Sequence, residues 1–164
     1  MVVCATQKAM RNLHLERDEI SAPPLEDTQH WYVNLLRILR VKYYLLTESA
    51  SMVTVLFPAK GLTSAPRFVA AASDVIHKYF ARRGWERLIA TSFDIDTTDV
   101  VICRTVDKRV LGSMNDFAWQ TEELMVENHL RLEDVIDHLD ECPMRYLGMD
   151  SPTLVAERLL GGLQ

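Results

Sequence analysis

The sequence predicts an α+β domain: a central antiparallel sheet of about five strands packed against helices, with a helical C-terminal third. Three observations carry this. Residues 31–57 hold three β-rich runs separated by gaps too short for crossover helices. Residues 62–83 change to an apolar period of three and four. Beyond residue 107 only helical patterns follow.

Val2-Val3-Cys4-Ala5 is a short apolar run and reads as the first strand. Thr6 offers an N-cap for a helix through Met10 and Leu13. Glu16 to Asp27 is acidic, contains Pro23-Pro24, and reads as an exposed loop. The central strands are Trp31–Ile38, Val41–Thr47 and Met52–Phe57, the last closed by Pro58. Leu35-Leu36 and Leu45-Leu46 put apolar side chains on both faces, so at least part of the sheet is covered twice or meets a partner.

Phe68, Val69, Ala72, Val75, Ile76, Tyr79 and Phe80 form the stripe of the clearest helix, with Pro66 in its first turn and Gly84 at its end. Its stripe is the expected roof of the meander. A short helix follows near Trp85–Ala90, then an acidic loop, Asp94–Asp99, and a fifth strand, 100–105. After Asp107-Lys108-Arg109 comes a helix for which Ser113 is the expected cap, with Asp116 three residues on. Met114, Phe117, Ala118, Thr121, Leu124 and Met125 give its buried side; Trp119 falls off that stripe. Leu132, Val135, Ile136 and Leu139 mark another helix, and Ser151-Pro152 starts a last one that Gly161-Gly162 ends.

The 164 residues suit a single domain spanning 1–164, at 48% hydrophobic and 25% charged. Eighteen basic residues against 23 acidic ones give a net charge of -5, which argues against a nucleic-acid-coating protein. Two basic groups, Lys78/Arg82/Arg83/Arg87 and Arg37/Arg40/Lys42, would make a local patch only if they adjoin. No run is long and apolar enough to span a membrane, and the start lacks a secretory pattern. Cys4, Cys103 and Cys142 are widely spaced, with no C-x-x-C pair, which fits a reducing cytoplasm. Cys4 and Cys103 sit in apolar runs and read as buried thiols.

No metal, cofactor or nucleotide-loop motif emerges. Asp134 and His138 share a helix face, but a solvated acidic surface explains them more simply. Asp94–Asp99 lacks the glycine and terminal glutamate of a calcium loop. Gly112-Ser113 is not a nucleophile elbow. What remains is a polar constellation: Trp31 and Asn34 on the first central strand, pointing to opposite faces, and Arg109, Ser113, Asn115 and Asp116 at a helix start. Such a start favours an anion, to which Arg109 would add a fork; capping with an Arg–Asp pair is the plainer explanation.

The run Trp31-Tyr32-Val33-Asn34-Leu35-Leu36 and the segment Asp107-Lys108-Arg109-Val110-Leu111-Gly112-Ser113-Met114-Asn115-Asp116-Phe117 resemble a bacterial, sometimes plasmid-borne, family of unknown function. The resemblance covers about residues 1–127 and leaves 128–164 as a helical extension. Thr6-Gln7-Lys8 stands where that family prefers Thr-Lys-Lys. It implies the α+β fold and singles out Trp31, Asn34, Arg109, Asn115 and Asp116, without a reaction or role. The expected function is a cytoplasmic interaction module without catalysis, with a protein partner or self-association. The alternatives are an enzyme acting on a phosphate or nucleotide substrate around Arg109, Asn115 and Asp116, and a nucleic-acid binder through the local basic patch.

Overall fold

The three central runs pair as the alternation demands. In the computed structural model β2 (Trp31–Ile38), β3 (Val41–Glu48) and β4 (Thr54–Pro58) form an antiparallel meander. The structure describes residues 1–22, 30–91, 93 and 99–162, so most of the proline-containing part of the 16–27 loop and most of the Asp94–Asp99 loop lie outside the described residues. The β2–β3 connection is a two-residue turn with Leu39 and Arg40 both at positive φ, 46° and 70°. Two-residue hairpin turns with both φ values positive favour Asn-Gly, and Leu and Arg are strained there. Leu39 is 71% exposed and gives up little packing if replaced. The double variant Leu39→Asn/Arg40→Gly is expected to gain about 1 kcal/mol. A raised urea midpoint checks this; an unchanged or lowered one contradicts it.

The antiparallel expectation holds for the meander and not for the whole sheet. β1 (Val2–Ala5) lies parallel both to β2 and to β5 (Val101–Arg104), giving the order β4-β3-β2-β1-β5. The reason is connection length. Residues 6–30 and 59–100 are long enough to cross over the sheet, as parallel pairing requires.

Both faces are roofed by the chain's own helices. Register puts Trp31, Val33, Tyr44, Leu46 and Phe57 on one face. α1 (Gln7–Asn12) and α2 (Ala65–Arg83) cover it: Phe68 meets Tyr44 edge-on at 4.8 Å, and Phe80 lies 6.4 Å from Trp31. α2 begins with proline in its first turn and ends on Gly84 at φ 72°, a left-handed position that glycine takes without steric cost. The short α3 (Glu86–Thr91) follows it. Cys4, Tyr32, Asn34, Leu45, Thr47, Thr54 and Cys103 point to the other face. α4 (Lys108–Val126) packs there through Val110, Met114, Phe117, Thr121 and Leu124. α5 (Leu132–Glu141) joins α4 to β4, and α6 (Pro152–Gly161), capped by Ser151, packs on α5 and α3. Leu45 and Leu46 are both completely buried, so the doubly apolar strands are satisfied within the chain. No helix among the described residues is long and apolar enough to cross a membrane.

Candidate site at the ends of the parallel strands

β1 and β5 run side by side with Ala5 beside Arg104, so both strands end at the same level. From there the chain leaves to opposite faces. After β1, Thr6 caps α1, accepting from the Ala9 N–H at 3.4 Å. α1 then lies over the Trp31 face, where Asn12 Nδ2 donates to Tyr44 Oη at 2.7 Å. After β5, the chain turns to the Tyr32 face, and the Asp107 N–H donates to Tyr32 Oη at 3.3 Å. Neighbouring parallel strands whose connections part in this way open a crevice at their carboxyl ends, the usual ligand position of open α/β sheets.

Three sequence segments meet at this junction. The Thr6 N–H continues the ladder to the Val33 carbonyl at 3.0 Å, and its hydroxyl donates to Asn34 Oδ1 at 3.1 Å. The same Asn34 oxygen accepts the Leu35 N–H at 2.9 Å, where β1 has already turned away. A buried Asn in an apolar strand is thereby explained: it replaces the missing neighbour strand. On the other side Asp107 caps α4, accepting from the Arg109 N–H at 2.7 Å and pairing with its guanidinium at 3.3 Å. Partial burial works against the ionised Asp107, but the Arg109 amide and guanidinium outweigh it and hold the carboxyl below its ordinary range. Burial pushes the Tyr32 hydroxyl up to about 12, against the opposing hydrogen bond from Asp107. Lys8, Arg104, Lys108 and Arg109 are exposed, on the segments that leave the two strand ends. Lys8, Arg104 and Lys108 have no ion pair among the described residues, while Arg109 also lies over the Tyr146 ring at 5.7 Å.

The residues singled out in the sequence divide into three groups. Asn34 and Arg109 belong to the junction. Trp31 is on the opposite face, 2% exposed, with its indole N–H donating to the Phe93 carbonyl at 3.3 Å and its ring against Phe80 and Phe93. Ser113 does not cap the helix. α4 begins at Lys108, so Gly112 and Ser113 are helical residues. The correction has a physical reason: Val110 is already part of the buried stripe, which requires a cap three residues before it, at Asp107. Asn115 and Asp116 are exposed on the outer side of α4, about 10 Å from its start at the helical rise. The six side chains do not converge on one pocket. Tyr32, Arg104 and Asp107 were not singled out. Arg104 and Asp107 had a positional signal, since they border the point where β5 gives way to the capped α4; Tyr32, the second residue of β2, had none.

Elsewhere the charged clusters are accounted for. On α2, Lys78 pairs with Asp74 at 2.7 Å, Arg82 with Asp137 at 2.6 Å and Arg83 with Glu141 at 2.9 Å. Three of the cations expected to build a basic patch are therefore matched by carboxylates. Asp134 is paired with Arg131 at 3.0 Å. Asp140 is fully buried, accepting from Thr54 N–H at 3.0 Å and holding Tyr79 Oη at 2.6 Å. Glu48, 1% exposed, accepts from Ala50 N–H, Ser51 N–H and Ser51 Oγ in the turn after β3.

A family model for a domain of unknown function, DUF6933, matches residues 2–154. The chain belongs to this family. The match to DUF6933 runs past residue 127, where the family-like region was expected to stop, and takes in α5 and the start of α6. The packing agrees with this extent: α5 supplies Asp140 to the end of β4 and carboxylates to the end of α2, so the core of this chain is incomplete without it. No curated protein and no solved structure matches the chain.

Proposed function

We propose that this DUF6933 chain binds a small phosphate-bearing molecule at the junction of β1, β5 and α4. The observation that carries this reading is the parting of the chain to opposite faces at the ends of two in-register parallel strands. It puts the exposed Lys8, Arg104, Lys108 and Arg109 on the segments that leave those strand ends, with Asp107 capping α4 between them in the chain. Arginine forks and lysine ammonium groups suit phosphate. Binding is favoured over acid–base catalysis because Tyr32, at about 12, and Asp107, below its ordinary range, both lie away from neutrality. The setting that fits is a bacterial cytoplasm.

Isothermal calorimetry with inorganic phosphate and with a nucleoside monophosphate tests the reading. Saturable binding that weakens with salt is expected. Arg104→Ala and Lys108→Ala should each reduce affinity about tenfold, a lost charge-assisted contact. Absence of heat with either ligand, or affinities unchanged in both variants, contradicts it. A second reading, a non-catalytic interaction module, has one supporting feature. Trp119 is 66% exposed on the outer side of α4, the kind of aromatic that anchors a partner. Concentration-dependent self-association that Trp119→Ala abolishes would support it; a monomer in sedimentation at high concentration would weigh against the self-association form.

A further inference from the structure

Cys4 and Cys103 stand 99 positions apart in the chain, yet they are register partners on β1 and β5, and their sulfurs lie 3.0 Å apart. Both are fully buried on the face beneath α4. We propose that these two thiols are a redox-active pair that a small hydroperoxide converts to a disulfide joining β1 to β5. This inference is independent of the anion-binding reading.

The geometry suits this chemistry. Strands in a sheet are about 4.8 Å apart, within the Cα separation of roughly 4.4–6.8 Å that disulfides span. Closing the bond requires the sulfurs to approach by about 1 Å, to about 2.0 Å. A shared metal fits less well. At metal–sulfur distances of about 2.3 Å, two thiolates on one tetrahedral ion stand about 3.8 Å apart. The pair is also asymmetric. Cys103 Sγ donates to the Val3 carbonyl at 3.6 Å, which leaves its sulfur to accept from Cys4. With Cys4 donating to Cys103, the hydrogen bond and then burial push the Cys4 thiol up, and the same hydrogen bond holds Cys103 below its ordinary value. Because the Cys103 proton is committed to Val3, its sulfur is the acceptor in the pair, which assigns Cys103 as the nucleophile and Cys4 as the resolving thiol.

The steps balance. The Cys103 thiolate attacks one peroxide oxygen, the O–O bond breaks, and hydroxide leaves to take up the thiol proton as water. Cys103 becomes the sulfenic acid, oxidised by two electrons. Cys4 sulfur then attacks the Cys103 sulfur, the S–O bond breaks, and a second water leaves with the Cys4 proton. Two thiols and one hydrogen peroxide give one disulfide and two waters.

The test uses the full native chain and hydrogen peroxide, followed by denaturation, alkylation and mass spectrometry. Cys142 is an internal reference, since burial and then Glu141 push its thiol up. Expected are a loss of about 2 Da, one alkylatable thiol, a cross-linked peptide pair containing Cys4 and Cys103, and full reversal by dithiothreitol. Cys4→Ser should stop at a sulfenic acid on Cys103 that dimedone traps, and Cys103→Ser should leave Cys4 unoxidised. Three alkylatable thiols after treatment, or a disulfide through Cys142, would overturn the proposal. So would sulfinate on Cys103 in the wild type, because it would show that Cys4 fails to resolve. The wild-type arm decides the matter even where a serine variant does not fold.

Discussion

Replacing Phe80 with alanine is expected to cost about 4 kcal/mol. Phe80 is fully buried on α2 and joins four aromatic neighbours. Its ring is 5.0 Å from Phe93, 5.9 Å from Trp85, 6.2 Å from Tyr79 and 6.4 Å from Trp31. The substitution removes the transfer energy of the ring, leaves a cavity between the helix and the sheet, and breaks edge-to-face contacts. Domains of this size are stable by only about 5–15 kcal/mol, so much of the margin would go. Phe80→Leu keeps most of the volume and should cost well under half as much. Urea unfolding of both variants checks this. A loss below about 2 kcal/mol for the alanine variant would mean that α2 is not the roof of the sheet.

Asp140 carries the second large effect, and its sign depends on pH. Full burial pushes its carboxyl from an ordinary 3.8 up to about 8, against the opposing hydrogen bonds from Tyr79 and Thr54 and the charge of Arg83. The folded protein therefore holds a proton there that the unfolded chain releases near 4. This contribution to stability is complete below about pH 4 and is lost as pH rises through about 8. Glu48, raised by burial against the opposing hydrogen bonds from Ala50, Ser51 and Ser49, acts in the same direction. Asp134 and Asp107, both lowered, act oppositely and only in the acid range. Stability should fall between pH 5 and pH 8.5, and Asp140→Asn should flatten that fall, because an amide can accept from Thr54 N–H and donate to Tyr79 Oη without titrating. Asp140→Ala leaves both partners unsatisfied in the interior and should cost about 3 kcal/mol at pH 5. Urea midpoints at the two pH values decide. A wild-type slope unchanged in Asp140→Asn would show that Asp140 is already ionised in the folded protein.

Much of the fold was legible because its signals are local. The three strands of the meander, the stripe of α2 with Gly84 behind it, and the caps at Thr6 and Ser151 each follow from residues within a few positions of one another. Parallel pairing of β1 was not legible, because a four-residue apolar run does not name its neighbour. The contact between Cys4 and Cys103 depends on that pairing and was hidden with it. Asp140 left a trace. It falls four residues after Ile136 on the buried stripe of α5, where a carboxylate needs partners, but Tyr79 and Thr54 come from remote segments. The candidate site was half legible. Asn34 and Arg109 were found, whereas grouping them with Trp31 required side chains from both faces of one sheet to meet.

The central claim is that the ends of β1 and β5, with the start of α4, hold an anion. Amide chemical-shift mapping of the full chain during titration with a nucleoside monophosphate tests it most directly. Saturating shifts concentrated at residues 6–8, 34–35 and 104–110 are the expected result. Shifts that never saturate, or that cluster at the 39–40 hairpin or along α5 while the junction stays silent, would contradict it.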